Sequence, residues 1–328
     1  MRILLGLTPT GKTKSPIHCN RNVTAQAACW LAALTLISTT GCSIKRIAVN
    51  KLGNALANPG TTFTADDDTE LVRDALPFSL KLIESLLAES PRHRGLLLAA
   101  ASGFTSYAYA FVQQEADEIE NRDLERASEL RPRARRLYLR ARDYGIRGLE
   151  LKLPHFSDSL RRNPKAAAST ATKADVSLLY WTAASWGAAI SLSKDSPDLV
   201  ADQPIVEALI DRALALDEKF SDGAIHTFLI TYEASRNGVN GDFADRSRKH
   251  FDRSIELSGG ALAAPLVSLA ETVSIQKQDR KEFQSLLRRA VAIDVNVRPE
   301  FRLANLIMRR RAQWLLAREA ELFLEVAQ

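Results

Sequence analysis

Cysteine is nearly absent from this chain. Its 328 residues hold 3, at positions 19, 29 and 42, too few and too badly spaced for a disulfide framework or a zinc site. Glycine and proline are sparse as well, at 15 and 12, which argues against many tight hairpins and for long helices. No run alternates apolar and polar residues for long enough to form a strand. Catalytic motifs are missing too. There is no GxSxG elbow, no P-loop, no GxGxxG and no HExxH pair, and no two histidines lie four apart. The chain is therefore expected to be no enzyme and to need neither metal nor cofactor.

Charge is the one apparent excess. There are 44 Lys and Arg against 39 Asp and Glu, a net +5. Residues 1–41 carry Arg2, Lys12, Lys14 and Arg21 and no acidic residue. An uncharged, mostly apolar run follows from Val23 to Ile37, then Ser38-Thr-Thr-Gly-Cys42. A basic region, a short apolar region and small residues form a secretory signal, and the run is too short for a comfortable membrane span. Gly41-Cys42 resembles a bacterial lipoprotein box, with Thr39 where Leu is usual. The expectation is cleavage before Cys42, acylation of its thiol and a periplasmic protein held by lipid, with Ser43 favouring the outer membrane. Residues 42–65, with Pro59-Gly60, are expected to form an irregular lipidated tether, and 66–328 a single domain. Without 1–41 the chain keeps 40 basic against 39 acidic residues. Its body is then near neutral and has no general attraction for nucleic acid.

From Asp66 onward helical spacing dominates. Asp66 to Asp68 can cap a helix over 69–75, and Pro77 suits the first turn of the next. That next helix shows Phe78, Leu80, Leu82, Ile83, Leu86 and Leu87 as an apolar stripe. Further helices are predicted over 93–122, 123–151, 173–193, 204–216, 222–236, 242–257, 261–276, 281–293 and 299–326. Short loops between them imply antiparallel neighbours. The C-terminal half echoes itself. Arg212-Ala-Leu-Ala-Leu-Asp217, Arg253-Ser-Ile-Glu-Leu-Ser258 and Arg289-Ala-Val-Ala-Ile-Asp294 align, like the second helix of a degenerate, lengthened tetratricopeptide repeat. The expected fold is all-α, a right-handed stack of antiparallel helix pairs.

Two further features bear on function. Seven arginines lie between Arg131 and Arg147, and an acidic run from Glu115 to Glu129 precedes them. Adjacent runs of opposite sign are expected to cancel in a solvated face. Aromatics cluster at Tyr107 and Phe111, four apart, and at Tyr180, Trp181 and Trp186. They are candidates to line an apolar cavity or channel, with Arg302, Asn305 and Arg309 on one helix face as its polar neighbours.

Long stretches in order along the chain resemble one family. They are Pro77-Phe-Ser-Leu-Lys81, Glu84-Ser-Leu-Leu87, Tyr107-Ala-Tyr-Ala-Phe-Val-Gln-Gln-Glu-Ala116, Arg135-Arg-Leu-Tyr-Leu-Arg-Ala-Arg-Asp-Tyr144, Leu179-Tyr-Trp-Thr-Ala-Ala-Ser-Trp-Gly187, Ala208-Leu-Ile-Asp-Arg-Ala-Leu214, Gln278-Asp-Arg-Lys-Glu-Phe283, Arg302-Leu-Ala-Asn-Leu306 and Arg310-Arg-Ala-Gln-Trp-Leu-Leu316. The chain is similar to T-component proteins of tripartite ATP-independent periplasmic (TRAP) transporters. The resemblance implies an all-helical lipoprotein with cryptic repeats, a homotrimer, and a channel through each protomer toward the solute-binding P-component. It implies transport of a small organic ligand on an ion gradient, with no catalysis by this subunit. The alternative is a helical-repeat scaffold of a cell-envelope assembly with no small-molecule ligand.

Overall fold

The helices start where side chains satisfy the orphan N–H groups of a first turn. Asp68 accepts hydrogen bonds from the N–H of Glu70 and Leu71. His93 Nδ1 accepts from Leu96, Asp123 from Arg126 and Asp279 from Glu282. The computed structural model describes residues 50–56, 62–236, 238 and 240–324. The predicted signal segment 1–41 and Cys42 lie outside the described residues. Among these residues the fold is all-α with no strand.

In order, the helices are α1 (residues 50–56), α2 (Thr69–Glu89), α3 (Arg94–Ala108), α4 (Gln114–Ile119), α5 (Leu124–Glu150), α6 (Phe156–Arg162), α7 (Pro164–Ser169) and α8 (Val176–Ser191). The second half holds α9 (Pro197–Val200), α10 (Gln203–Leu216), α11 (Ala224–Tyr232), α12 (Phe243–Ser258), α13 (Ala264–Leu269), α14 (Arg280–Ala292), α15 (Arg302–Ala317) and α16 (Glu319–Leu322). Two π-helical turns, Tyr109–Gln113 and Ala270–Ser274, continue α3 and α13.

Several predicted boundaries move. Thr69 to Glu89 is one helix with Pro77 inside it. Proline there forfeits its N–H bond and crowds the Arg73 carbonyl, and buried Val72, Leu80, Ile83, Leu86 and Leu87 hold both halves to one core in spite of that. The predicted tether is partly helical. Ser90 Oγ donates to Asn50 Oδ1 at 2.8 Å, and Gly53 lies so close to Leu96 and His93 that a Cβ would meet them at about 3 Å. The predicted helix 222–236 starts at Ala224, because Ser221 and Asp222 take positive φ. The predicted helix 299–326 breaks at Arg318. Helices α6 and α7, seven and six residues long, are new; such short segments give no clear periodicity.

Packing follows chain order. Helix α3 lies against α2 and α5, α5 against α8, and α8 against α10; α11 to α15 pack in turn on one another. Residues 94–119 form a continuous helix long and apolar enough to cross a membrane by composition alone, and more than half of that window is buried inside the fold. Core residues fall into three clusters, the first on α2 to α5, the second centred on α8 and α10, the third on α13 to α15. Helix α5 crosses α8 at close range. Ala127, Ala134, Ala141 and Gly148 recur every seven residues on the buried face of α5. A Cβ on Gly145 would lie 2.1 Å from Thr182 Oγ1, and one on Gly148 2.7 Å from Leu178 Cδ2. The sequence echoes fall on the last turns of α10, α12 and α14. Arg212 donates to the Ala171 carbonyl, and Arg253 binds both Glu218 oxygens at 2.7 and 2.8 Å. Each of these two arginines reaches back to the loop of an earlier helix.

Helices α11 and α12 meet through a histidine pair. His226 Nδ1 and His250 Nδ1 are 2.8 Å apart, so they share one hydrogen. The outer nitrogens point toward Glu218 (3.4 Å) and Glu233 (3.8 Å), with Arg253 on Glu218 and Arg236 on Glu233. Burial lowers both imidazoles, His250 to about 4. Two expected outcomes follow from these contacts. Gly145→Val lowers the unfolding free energy by about 1–3 kcal/mol through overpacking against Thr182, as urea titration will show. The unfolded histidine binds a proton near pH 6.5, and folded His250 binds it only near pH 4. Stability is therefore complete above pH 6.5 and falls between there and pH 4, by on the order of 3 kcal/mol for His250. His250→Asn should flatten that part of the profile relative to the parent chain.

Candidate functional site

The last long helix returns to the first ones. Leu303 N–H donates to the Thr64 carbonyl at 2.9 Å, and Asn121 Nδ2 to Glu321 at 3.1 Å. Arg310 pairs with Glu118. At the centre of this seam stands Arg311 on α15. Its Nε and Nη2 bind Glu271 Oε1 at 3.0 and 2.7 Å, and Nη1 lies 3.1 Å from Asp117 Oδ2. The guanidinium also covers the Trp314 ring at 4.3 Å. Arg131 approaches Asp117 at 3.9 Å and holds Glu120 at 2.8 Å.

Both π-turns open onto this seam. Tyr109 is the first residue of one and Glu271 the second of the other. A π-turn inserts one residue into a helix and re-aims the side chains around it, often at functional sites. Gln113 in the first turn accepts the buried Tyr138 hydroxyl at 2.7 Å, which fixes the widened backbone. Tyr109 donates to Met308 Sδ at 3.8 Å. Gln114, 2% exposed, keeps a buried Nε2 with no hydrogen-bond partner.

The electrostatics of the seam are set by burial and by its arginines. Tyr109 is 37% exposed, yet desolvation pushes its hydroxyl up to about 12, with Glu271 adding to the rise. Burial raises the Glu271 carboxyl, and Arg311 offsets part of that rise. Burial raises Asp117 likewise, against Arg311 and Arg131. Burial also opposes the charge on Arg311, but Glu271 and Asp117 outweigh it and keep the guanidinium protonated. Tyr180, half-buried on α8, likewise has its hydroxyl pushed up to about 12 by burial alone.

The predicted lining residues occupy several places. Tyr107 and Phe111 are 8% and 7% exposed, with ring centres 5.9 Å apart, in the first core cluster. Trp186 is buried in the second cluster under the Arg142 guanidinium at 5.0 Å. Tyr180 and Trp181 are half-buried, edge to face at 5.0 Å, with Phe220 5.3 Å from Tyr180. Arg302, Asn305 and Arg309 do share one face of α15, and they grip backbone. Arg302 Nη1 donates to the Ala65 carbonyl at 2.8 Å, and Arg309 Nη2 to the Ile293 carbonyl at 2.5 Å. Asn305 accepts from Ala263 N–H and donates to the Ala261 carbonyl, both at 2.9 Å. Among the described residues no hydrogen bond, ion pair or ring contact joins these three to the predicted aromatics.

Tyr109, Gln114, Asp117, Glu271, Arg311 and Trp314 escaped the sequence reading. Asp117 and Arg311 belong to charge runs that spacing alone cannot pair across nearly two hundred residues, and a π-turn leaves no sequence signature. No group of three or more His, Cys, Asp or Glu among the described residues is arranged to hold a metal ion.

Among the described residues the fold is an all-helical body whose last long helix is joined to the first ones by a polar seam. A sequence model of the TRAP transporter T-component family matches residues 65–323, and the chain belongs to that family. A protein of Treponema pallidum (strain Nichols), itself described only as uncharacterized, is 29% identical over 315 residues, covering 90% of this chain and 98% of the relative.

The seam can be tested by a double-mutant cycle. Arg311→Met should destabilise the chain by about 2 kcal/mol, because it leaves half-buried Glu271 without its cation and Asp117 with only the more distant Arg131. Glu271→Gln in the same chain should restore more than 1 kcal/mol of that loss, a coupling on the order of those measured between contacting residues. Additive effects in chemical denaturation would show that the two side chains act independently.

Proposed function

We propose that this chain is the non-catalytic accessory subunit of a TRAP transporter, binding the solute-binding subunit and channelling a small organic ligand. Family membership places the chain among accessory transporter components. The single observation taken to support the finer reading is the polar seam where α15 meets the two π-turns, with partly exposed Tyr109 close to Glu271 and Arg311. The carboxylates of the seam are held by arginine, which suits a fixed polar lining better than proton transfer. The degenerate repeats form the single domain 66–328, and the protomers form a homotrimer. A leader over 1–41 and a lipid on Cys42 hold the chain at the periplasmic face of the outer membrane.

The test is direct. The purified chain and its solute-binding subunit should sediment together as a stoichiometric complex at micromolar concentrations. Native mass spectrometry should show three copies of this chain, and Cys42→Ala should abolish incorporation of labelled palmitate. A chain that forms no complex with the solute-binding subunit and carries no small molecule is the scaffold of the alternative reading.

A further inference from the structure

The arginine run was expected to cancel against the acidic run before it. The structure distributes these charges differently. Asp117 turns to Arg311 and Glu118 to Arg310 on α15; Glu120 takes Arg131, and Glu129 takes Arg126. The cations beyond Arg131 are therefore left to other partners. Arg136, Arg140, Asp143 and Arg147 all stand exposed on one side of α5 and, with Leu139 and Tyr144, line a groove of about 340 Å³.

The groove floor is an aromatic stack. The Phe104 and Tyr144 rings lie 6.0 Å apart and 12° from parallel. Arg140 covers Phe104 at 5.3 Å, and Arg147 covers Tyr144 at 5.2 Å. Both carboxylates in the vicinity are already engaged. Asp143 accepts two bonds from Arg142, at 2.9 and 2.7 Å. Glu84 accepts from Lys81 and from the Tyr144 hydroxyl, with Arg140 at 3.5 Å. Among the described residues Arg136 and Arg147 form no ion pair. They stand eleven residues apart, about 16 Å along the helix, at the two ends of the groove.

From this geometry we infer that the outer face of α5 is a docking surface for a carboxylate-bearing protein element. Guanidiniums laid on rings are held in place before binding and present their N–H edges outward, which suits bidentate capture of Asp or Glu. Arginine and tyrosine are also the side chains most enriched at protein–protein hot spots. A phosphate backbone or an anionic bilayer fits less well, because Asp143 and Glu84 stand among the cations and, among the described residues, two of the groove's three arginines lack an ion pair. The partner is the solute-binding subunit, so this inference rests on the function proposed above and adds the place and chemistry of the contact.

The experiment measures affinity of the full chain for the solute-binding subunit by calorimetry at low and high salt. Arg136→Glu with Arg147→Glu is compared with Lys249→Glu plus Lys281→Glu, which makes the same charge change at exposed lysines on α12 and α14. The arginine pair should weaken binding about 10-fold or more and remove most of its salt dependence, because complementary charges set both. The lysine pair should leave affinity within about twofold. Arg136→Gln with Arg147→Gln should fall between the parent and the charge reversal. Equal affinity of the parent and the arginine variants overturns this inference alone. Failure of the parent chain to bind overturns this inference and the proposed function together. Arginine-dependent retention on phosphatidylglycerol vesicles, with subunit affinity unchanged, reassigns the face to the membrane and overturns it as well.

Discussion

Arg311 is the side chain on which the closure of this fold turns. A stack of helices buries each apolar face only against its neighbours, so its two ends are its weakest parts. Here the final long helix returns to the first ones, and one guanidinium bridges Asp117 after the first π-turn and Glu271 in the second. A buried ion pair of this kind contributes little net stability, because desolvation consumes most of the Coulombic gain. What it imposes is a demand for one arrangement. If α15 shifts along the seam, two carboxylates and a guanidinium lose their partners together. Arg302, Asn305 and Arg309 impose the same demand on the opposite side of the helix, gripping carbonyl or amide groups at Ala65, Ala261, Ala263 and Ile293. Helix α15 is thus held by polar contacts that are satisfied only in its observed register.

The sequence carried the helices because their signals are local. Asp68, Asp123 and Asp279 each stand just before an apolar stripe and do cap a helix. The echoes at Arg212, Arg253 and Arg289 do fall on equivalent helix ends. What was not legible depends on pairs far apart in the chain. The seam joins Asp117 to Arg311, and no local pattern states that partnership. The tether looked irregular because its packing depends on Ser90, His93 and Leu96. The face shared by Arg302, Asn305 and Arg309 was legible from spacing, but its use was not: a polar side chain aimed at a ligand and one aimed at a neighbouring loop have the same periodicity.

Charge distribution ties the α15 seam to the outer face of α5. The acidic residues of α4 are adjacent in sequence to the arginines of α5, yet two of them are spent on α15 across the seam. Closing the stack therefore leaves α5 with cations that its own neighbourhood does not neutralise. A chain with a near-neutral body can in this way carry a local basic groove. The sign of that groove follows from how the fold closes, and net charge gives no sign of it.

The small residues of α5 complete the argument. Gly145 and Gly148 leave room on the buried side of the helix between Tyr138 and Leu149, so α8 approaches until Thr182 and Leu178 nearly touch its backbone. The arginines of α5 stand on its other faces, where guanidiniums lie over aromatic rings. One helix thus separates two jobs by face, with close packing inside and an ordered array of guanidiniums outside. The rigidity of the inner contact is what makes the outer spacing of about 16 Å a fixed property of the molecule. A flexible basic tail with the same arginines would attract the same charges and select none of them.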